Sequence, residues 1–136
     1  MPTQLTEEVV VEANPDVVWA LIGRPESIAD WHPGIAASPV TDGVRYCSLE
    51  GGGEVDEPIE SHSDAERTYT YSIARSPFEM SGYRSTLTVS PVDGGSRVVW
   101  TGEFEAPDEE AAAALATAFA GVYRAGLDRV TELTAG

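Results

Sequence analysis

The chain has no lysine, one cysteine and two histidines among its 136 residues. Each shortage removes a class of function. A lone Cys47 excludes an intrachain disulfide and fits a reducing compartment. Two histidines and one cysteine at scattered positions offer no ligand spacing for zinc or iron, so neither metal nor cofactor is expected. No GxSxG, P-loop or strand-linked GxGxxG is present. Positive charge is scarce: eight arginines face 23 acidic residues, for a net charge of −15. Such a surface repels phosphate backbones, which argues against nucleic acid as a partner. No apolar run approaches the roughly 20 residues of a membrane-spanning helix, so no membrane insertion is expected. The N-terminus lacks the basic-then-apolar order of a secretory signal. The chain reads as a cytoplasmic protein, monomeric or weakly dimeric, folded as one domain over 1–136.

What is present is alternation. Leu5 to Glu12 reads as a first strand, rich in β-branched valine. Asn14-Pro15-Asp16 then opens a short helix, with Asn14 as cap and Pro15 in the first turn. A second short helix follows over Ser27 to Asp30, broken at Trp31-His32-Pro33-Gly34. Six strands come next, near 35–40, 44–50, 53–61, 67–75, 82–91 and 96–105. Turn-forming residues separate them, as at Asp93-Gly94-Gly95. Short links between neighbours imply an antiparallel meander. From Pro107-Asp108 to about Leu133 the pattern becomes helical. Leu115, Ala118, Phe119, Val122, Gly126, Val130 and Leu133 fall at steps of three and four on one stripe, with Tyr123 at its edge.

The expected fold class is α+β. A seven-stranded antiparallel sheet carries two short helices between strands 1 and 2 and a long C-terminal helix. This order resembles the helix-grip fold of the START-like superfamily. The stretches Ile28-Ala-Asp-Trp-His-Pro-Gly-Ile35, Arg67-Thr-Tyr-Thr-Tyr-Ser72, Gly95-Ser-Arg-Val-Val-Trp100 and Phe119-Ala-Gly-Val-Tyr-Arg-Ala-Gly-Leu127 are similar to a bacterial subgroup of polyketide cyclase/dehydrase type. The resemblance implies a curved sheet wrapped around the long helix, with a cavity between them. It does not choose among carriers, receptors and enzymes, because one scaffold serves all three.

Period-two sorting assigns strand faces. Val55, Glu57 and Ile59 share a face, which places Glu57 inside if its apolar neighbours point inward. Arg45 shares a face with Cys47 and Leu49 on the preceding strand, so Arg45 and Glu57 can meet across a hairpin. They would form a ligand anchor or an acid/base pair, or else a structural ion pair; alternatively a bulge at Pro58 turns Glu57 outward. Tyr69, Tyr71, Tyr83, Trp100, Phe119 and Tyr123 are the remaining candidate ligand contacts, offering apolar walls with polar tips. His32 is a candidate acid or base, or else an exposed loop residue or a ring capping a backbone group. His62 reads as a surface turn residue. Gly126 leaves room for a ligand, admits the sheet closely, or is tolerated in packing.

Three functions remain open. The protein binds a small hydrophobic or aromatic molecule. Or it is a cyclase/dehydratase-like enzyme with Glu57 or His32 as catalytic candidate. Or it is a protein-interaction module without a ligand.

Overall fold

The computed structural model describes residues 2–135. Strand β1 (Thr3–Val11) leads into helix α1 (Pro15–Ile22), and a 3-10 turn at Pro25–Ser27 runs into the one-turn helix α2 (Ile28–Trp31). Two short strands follow, β2 (Ile35–Ala37) and β3 (Val40–Thr41). The longer ones are β4 (Val44–Leu49), β5 (Glu54–Ser63), β6 (Thr68–Ser72), β7 (Ser81–Val92) and β8 (Gly95–Glu105), and helix α3 (Glu109–Thr134) ends the chain. Strand order is β1-β8-β7-β6-β5-β4-β2, with β3 also paired to β4 and every pairing antiparallel.

The expected architecture is present, with one strand subdivided. Residues 35–40 form two strands because Ser38 and Pro39 interrupt the pairing with β4. Proline lacks the N–H that a ladder needs. The curved antiparallel sheet, the long terminal helix and the two short helices after β1 make a helix-grip fold.

Local chemistry accounts for the helix starts. The Asn14 side chain accepts from the Asp16 N–H at 2.9 Å, with Pro15 in the first turn of α1. The Asp108 side chain accepts from the Ala111 N–H at 2.8 Å, and Glu109 and Glu110 stand at the positive end of α3. Helix α3 has 26 residues, about 39 Å at 1.5 Å per residue, enough to cross the sheet.

The core lies between the concave face of the sheet and α3. Along β8, Val98, Trp100, Gly102 and Phe104 are buried at alternate positions, and on β7 Tyr83, Ser85, Leu87 and Val89 are their counterparts. The buried stripe of α3 is Phe119, Tyr123, Gly126, Leu127 and Val130, whereas Val122 and Leu133 are exposed. The helix is therefore turned by about one position from the stripe read in the sequence. Both settings follow steps of three and four, and the Tyr123–Leu127 pair buries more apolar area than the Ala118–Val122 pair would.

Candidate functional site

The charged part of the interior is built on one hairpin. Arg45 on β4 stands directly opposite Glu57 on β5. The register shift in β5 falls between Ile59 and Ser61. It lies past Pro58, so Glu57 keeps its inward face. Arg45 Nε donates to Glu57 Oε1 at 2.7 Å, and Nη1 donates to the Pro25 carbonyl at 2.9 Å and to the Tyr69 hydroxyl at 3.0 Å. The guanidinium carbon also sits 4.6 Å from the centroid of the Tyr71 ring, within cation–π range. Burial opposes the charge on Arg45, but the Tyr69 oxygen and the Glu57 carboxylate outweigh it and hold the guanidinium protonated. The Cys47 thiol donates to the same Glu57 Oε1 at 3.1 Å. Burial pushes that thiol up, and the neighbouring carboxylate pushes it further, so it is inert as a nucleophile near neutral pH. Two groups are left over. Arg45 Nη2 is buried without a hydrogen-bond partner, and Glu57 Oε2 receives no protein donor among the described residues.

A second, uncharged cluster occupies the centre of the sheet. The Ser85 hydroxyl donates to the Thr101 carbonyl at 2.7 Å. With its proton spent there, Ser85 Oγ accepts from Trp100 Nε1 at 2.9 Å and from the Tyr123 hydroxyl at 3.2 Å. Tyr123 in turn accepts from the Tyr83 hydroxyl, in close contact. Trp100 Nε1 also donates to the Tyr71 hydroxyl at 3.2 Å, and Trp100 stacks on Tyr123 with ring centroids 4.5 Å apart. Burial pushes the Tyr123 phenol up to about 12, and Tyr71 and Tyr83 also lie well above the ordinary range. These tyrosines act as neutral hydroxyls. Gly102 makes room for the arrangement, since a Cβ there would stand 2.2 Å from the Tyr123 hydroxyl.

Between the two clusters lies a cavity of about 110 Å³. Its lining is mostly apolar: Ile28, Ile35, Leu49, Val55, Ile73 and the rings of Tyr71, Tyr83, Trp100, Phe119 and Tyr123, with Cys47 and Glu57 on one wall. Phe78 and Val122 also line it and are exposed, while Ile35 and Leu49 are partly exposed. These residues mark its mouth, between α3, the loop after α2 and the loop joining β6 to β7. Phe78 packs edge-on against Phe119, with centroids 5.6 Å apart.

His32 lies at the same junction. It is buried, not an exposed loop residue, and its ring caps backbone groups. Nδ1 accepts from the Gly34 N–H at 2.9 Å, which leaves the ring proton on Nε2, donating to the Val122 carbonyl at 2.7 Å. Burial lowers its pKa and keeps the ring neutral. His32 thereby ties the end of α2 to α3. Gly126 admits this tie. A Cβ there would come within 2.7 Å of His32 Cδ2, 2.9 Å of Trp100 Cζ3 and 3.0 Å of Trp31 Cζ3. The glycine thus serves the approach of three rings.

The structure brings Glu57, Tyr71, Tyr83, Trp100, Phe119, Tyr123 and His32 to one cavity wall or another. Arg45 and Tyr69 stand behind Glu57 and outside the lining. His62 is within β5 and not in a turn; one ring nitrogen bonds the Gly23 carbonyl at 2.8 Å. Phe78 is not legible in the sequence pattern, because it sits between strands where no periodicity applies. The central role of Ser85 is signalled only by a hydroxyl at an inward position between Tyr83 and Leu87. Among the described residues no group of acidic, histidine and cysteine side chains could hold a metal ion, and no helix is long and apolar enough to cross a membrane.

The likenesses to known proteins agree with this geometry. XoxI from Bacillus cereus is 31% identical, with a TM-score of 0.90 over 97% of this chain and 95% of that one. An uncharacterized protein from Bacillus thuringiensis is 32% identical, with a TM-score of 0.87 over 97% of this chain and 98% of its own. The Zhui aromatase/cyclase from Streptomyces sp. R1128 shares the fold at 16% identity, with a TM-score of 0.79 over 98% of this chain and 94% of that one. No curated protein matches the chain. A family model described as polyketide cyclase/dehydrase and lipid transport matches residues 2–134. With nearly its whole length in that match, the chain belongs to the polyketide cyclase/dehydrase and lipid transport family.

Proposed function

We propose that the protein binds a small hydrophobic or aromatic molecule in the cavity between the sheet and α3. One observation carries the reading: an apolar space of about 110 Å³ with a single carboxylate oxygen, Glu57 Oε2, left without a protein donor on its wall. An engineered apolar cavity of about 150 Å³ binds benzene in another protein, so this smaller space holds at most about one aromatic ring, with any substituent reaching toward the mouth. The ring-lined walls favour such a ligand, and the exposed Phe78 at the mouth gives it a path. Arg45 acts behind the wall, holding the Glu57 carboxylate in place.

The free oxygen also favours a second reading. A carboxylate facing an apolar pocket is suited to accept a proton from a bound carbon or oxygen acid, as a cyclase/dehydratase-like enzyme would require. His32 is less suited to that task, because both ring nitrogens are engaged by backbone groups.

Thermal-shift measurements on a panel of single-ring and short aliphatic compounds, with native mass spectrometry of the purified protein, test the binding reading. A ligand of the folded state raises the melting temperature with concentration. No shift across the panel, together with no retained small molecule, would overturn it. For any ligand that is turned over, Glu57→Gln separates the readings: a carrier loses affinity, whereas an enzyme loses kcat by a larger factor.

A further inference from the structure

The two leftover hydrogen-bonding groups of the cavity wall specify the chemistry of its ligand. The direction of the central hydroxyl chain is fixed. Thr101 contributes a carbonyl, which only accepts, so Ser85 donates to it, Tyr123 donates to Ser85 and Tyr83 donates to Tyr123. Every proton of that chain is spent inside the protein. Tyr71 stands outside it. Its oxygen accepts from Trp100 Nε1 at 3.2 Å, and its own O–H finds no acceptor among the described residues. Tyr71 is 3% exposed and lines the cavity, so a molecule in the cavity is what can pair that donor. On the same cavity, Glu57 spends Oε1 on Arg45 and Cys47 and has Oε2 without a donor. The pocket thus presents one free donor and one free anionic acceptor within otherwise apolar walls. Both are held rigidly: Tyr71 lies against the Arg45 guanidinium and under the Trp100 N–H, and Glu57 is gripped by Arg45.

We infer that the ligand is a compact ring compound bearing both a carbonyl and a hydroxyl. The carbonyl oxygen accepts from Tyr71 O–H, and the ligand hydroxyl donates to Glu57 Oε2. The inference rests on the binding reading above and narrows it. A pocket whose Tyr71 O–H and Glu57 Oε2 have no protein partner discriminates against ligands that cannot pair them, because each unmet group loses its water without compensation. A ligand carboxylate is rejected by charge, since it would meet Glu57 with no unsatisfied cation on the lining.

Calorimetric titration with five probes tests this: ethylbenzene, acetophenone, 4-ethylphenol and the 3- and 4-hydroxyacetophenones, the last two taken as one class. The expected order places a hydroxyacetophenone first. Removing the carbonyl costs roughly fivefold in affinity and removing the hydroxyl about tenfold, the latter bond being charge-assisted. Tyr71→Phe keeps the ring and leaves Trp100 Nε1 on Ser85; it abolishes the gain from the carbonyl and spares the gain from the hydroxyl. Glu57→Gln retains an acceptor for Arg45 and presents an amide donor to the cavity; it abolishes the gain from the hydroxyl. Melting temperatures of the unliganded variants confirm that each is folded. If all probes bind with the affinity of ethylbenzene, the assignment of donor and acceptor is overturned and the apolar cavity stands. If no probe binds, the assignment is overturned, and the thermal-shift panel and mass spectrometry above decide the binding reading. If Tyr71→Phe lowers affinity for every probe by the same factor, Tyr71 is a wall and not a donor, and the assignment is again overturned.

Discussion

The interior of this protein holds two polar clusters a few side chains apart, and they differ in kind. The hairpin cluster of Arg45, Glu57, Cys47 and Tyr69 is charged, and it leaves two atoms unpartnered, Arg45 Nη2 and Glu57 Oε2. The cluster of Ser85, Tyr83, Tyr123 and Trp100 is neutral and runs in one direction to a closed end at the Thr101 carbonyl. A charged pair in a dry interior is stabilised only while both members are present. A neutral hydroxyl chain degrades more gently. The same contrast marks the cavity: the charged side has a carboxylate oxygen without a protein donor, and the chain from Tyr83 to Thr101 spends its protons within the protein.

The sharpest way to break that contrast is to remove one charge. Glu57→Leu strands a fully buried guanidinium, and urea denaturation should show a loss of about 3–5 kcal/mol. The double variant Arg45→Met, Glu57→Leu should recover most of it. If the single and double variants are equally unstable, the pair does not act as a unit. The neutral cluster should respond less. Ser85→Ala leaves the Tyr123 hydroxyl without its acceptor and Trp100 Nε1 with only Tyr71, for an expected loss of about 1–3 kcal/mol in the same assay. A loss as large as that of Glu57→Leu would erase the distinction between the clusters.

Gly126→Ala probes the joint between them. The added methyl meets three rings closer than or at 3.0 Å. Overpacking of about 1–3 kcal/mol, less about 1 kcal/mol of improved helix propensity, predicts a modest net loss of stability. A stabilised variant would mean that His32, Trp31 and Trp100 move aside freely. The smallest expected effect is on pH. His32 has a folded-state pKa below its ordinary 6.5 because of burial. Between the two values the unfolded chain binds a proton that the folded chain refuses, so stability is present above the unfolded value and falls as pH drops through the window. Melting temperatures followed from about pH 7 to pH 5 should decline less steeply in His32→Gln than in the unaltered protein. Parallel profiles would show that the histidine does not titrate across unfolding.

The meeting of Arg45 and Glu57 was legible because it is local. Twelve residues separate them on adjacent antiparallel strands, and period-two alternation places both on one face. The Ser85 cluster was not, because its members come from β7, β8 and α3, up to 40 residues apart. Strand alternation says that Tyr83, Ser85 and Trp100 point inward, but not which hydroxyl reaches which. The rotation of α3 was undecided for a related reason. Val122 and Tyr123 are neighbours on the helix, and only the sheet beneath selects the tyrosine for burial.

The sequence by itself determined the element order, the inward faces of the strands, the cap of α1, the start of α3 near Asp108, and the fold that these imply. All follow from short-range rules of period and capping. Tertiary structure alone decided that Gly126 admits three rings, that His32 spends both nitrogens on backbone groups, and that Glu57 and Tyr71, each with one group unpaired by the protein, line one cavity. Which polar atoms remain unpaired depends on every neighbour in three dimensions, and no spacing along the chain records it.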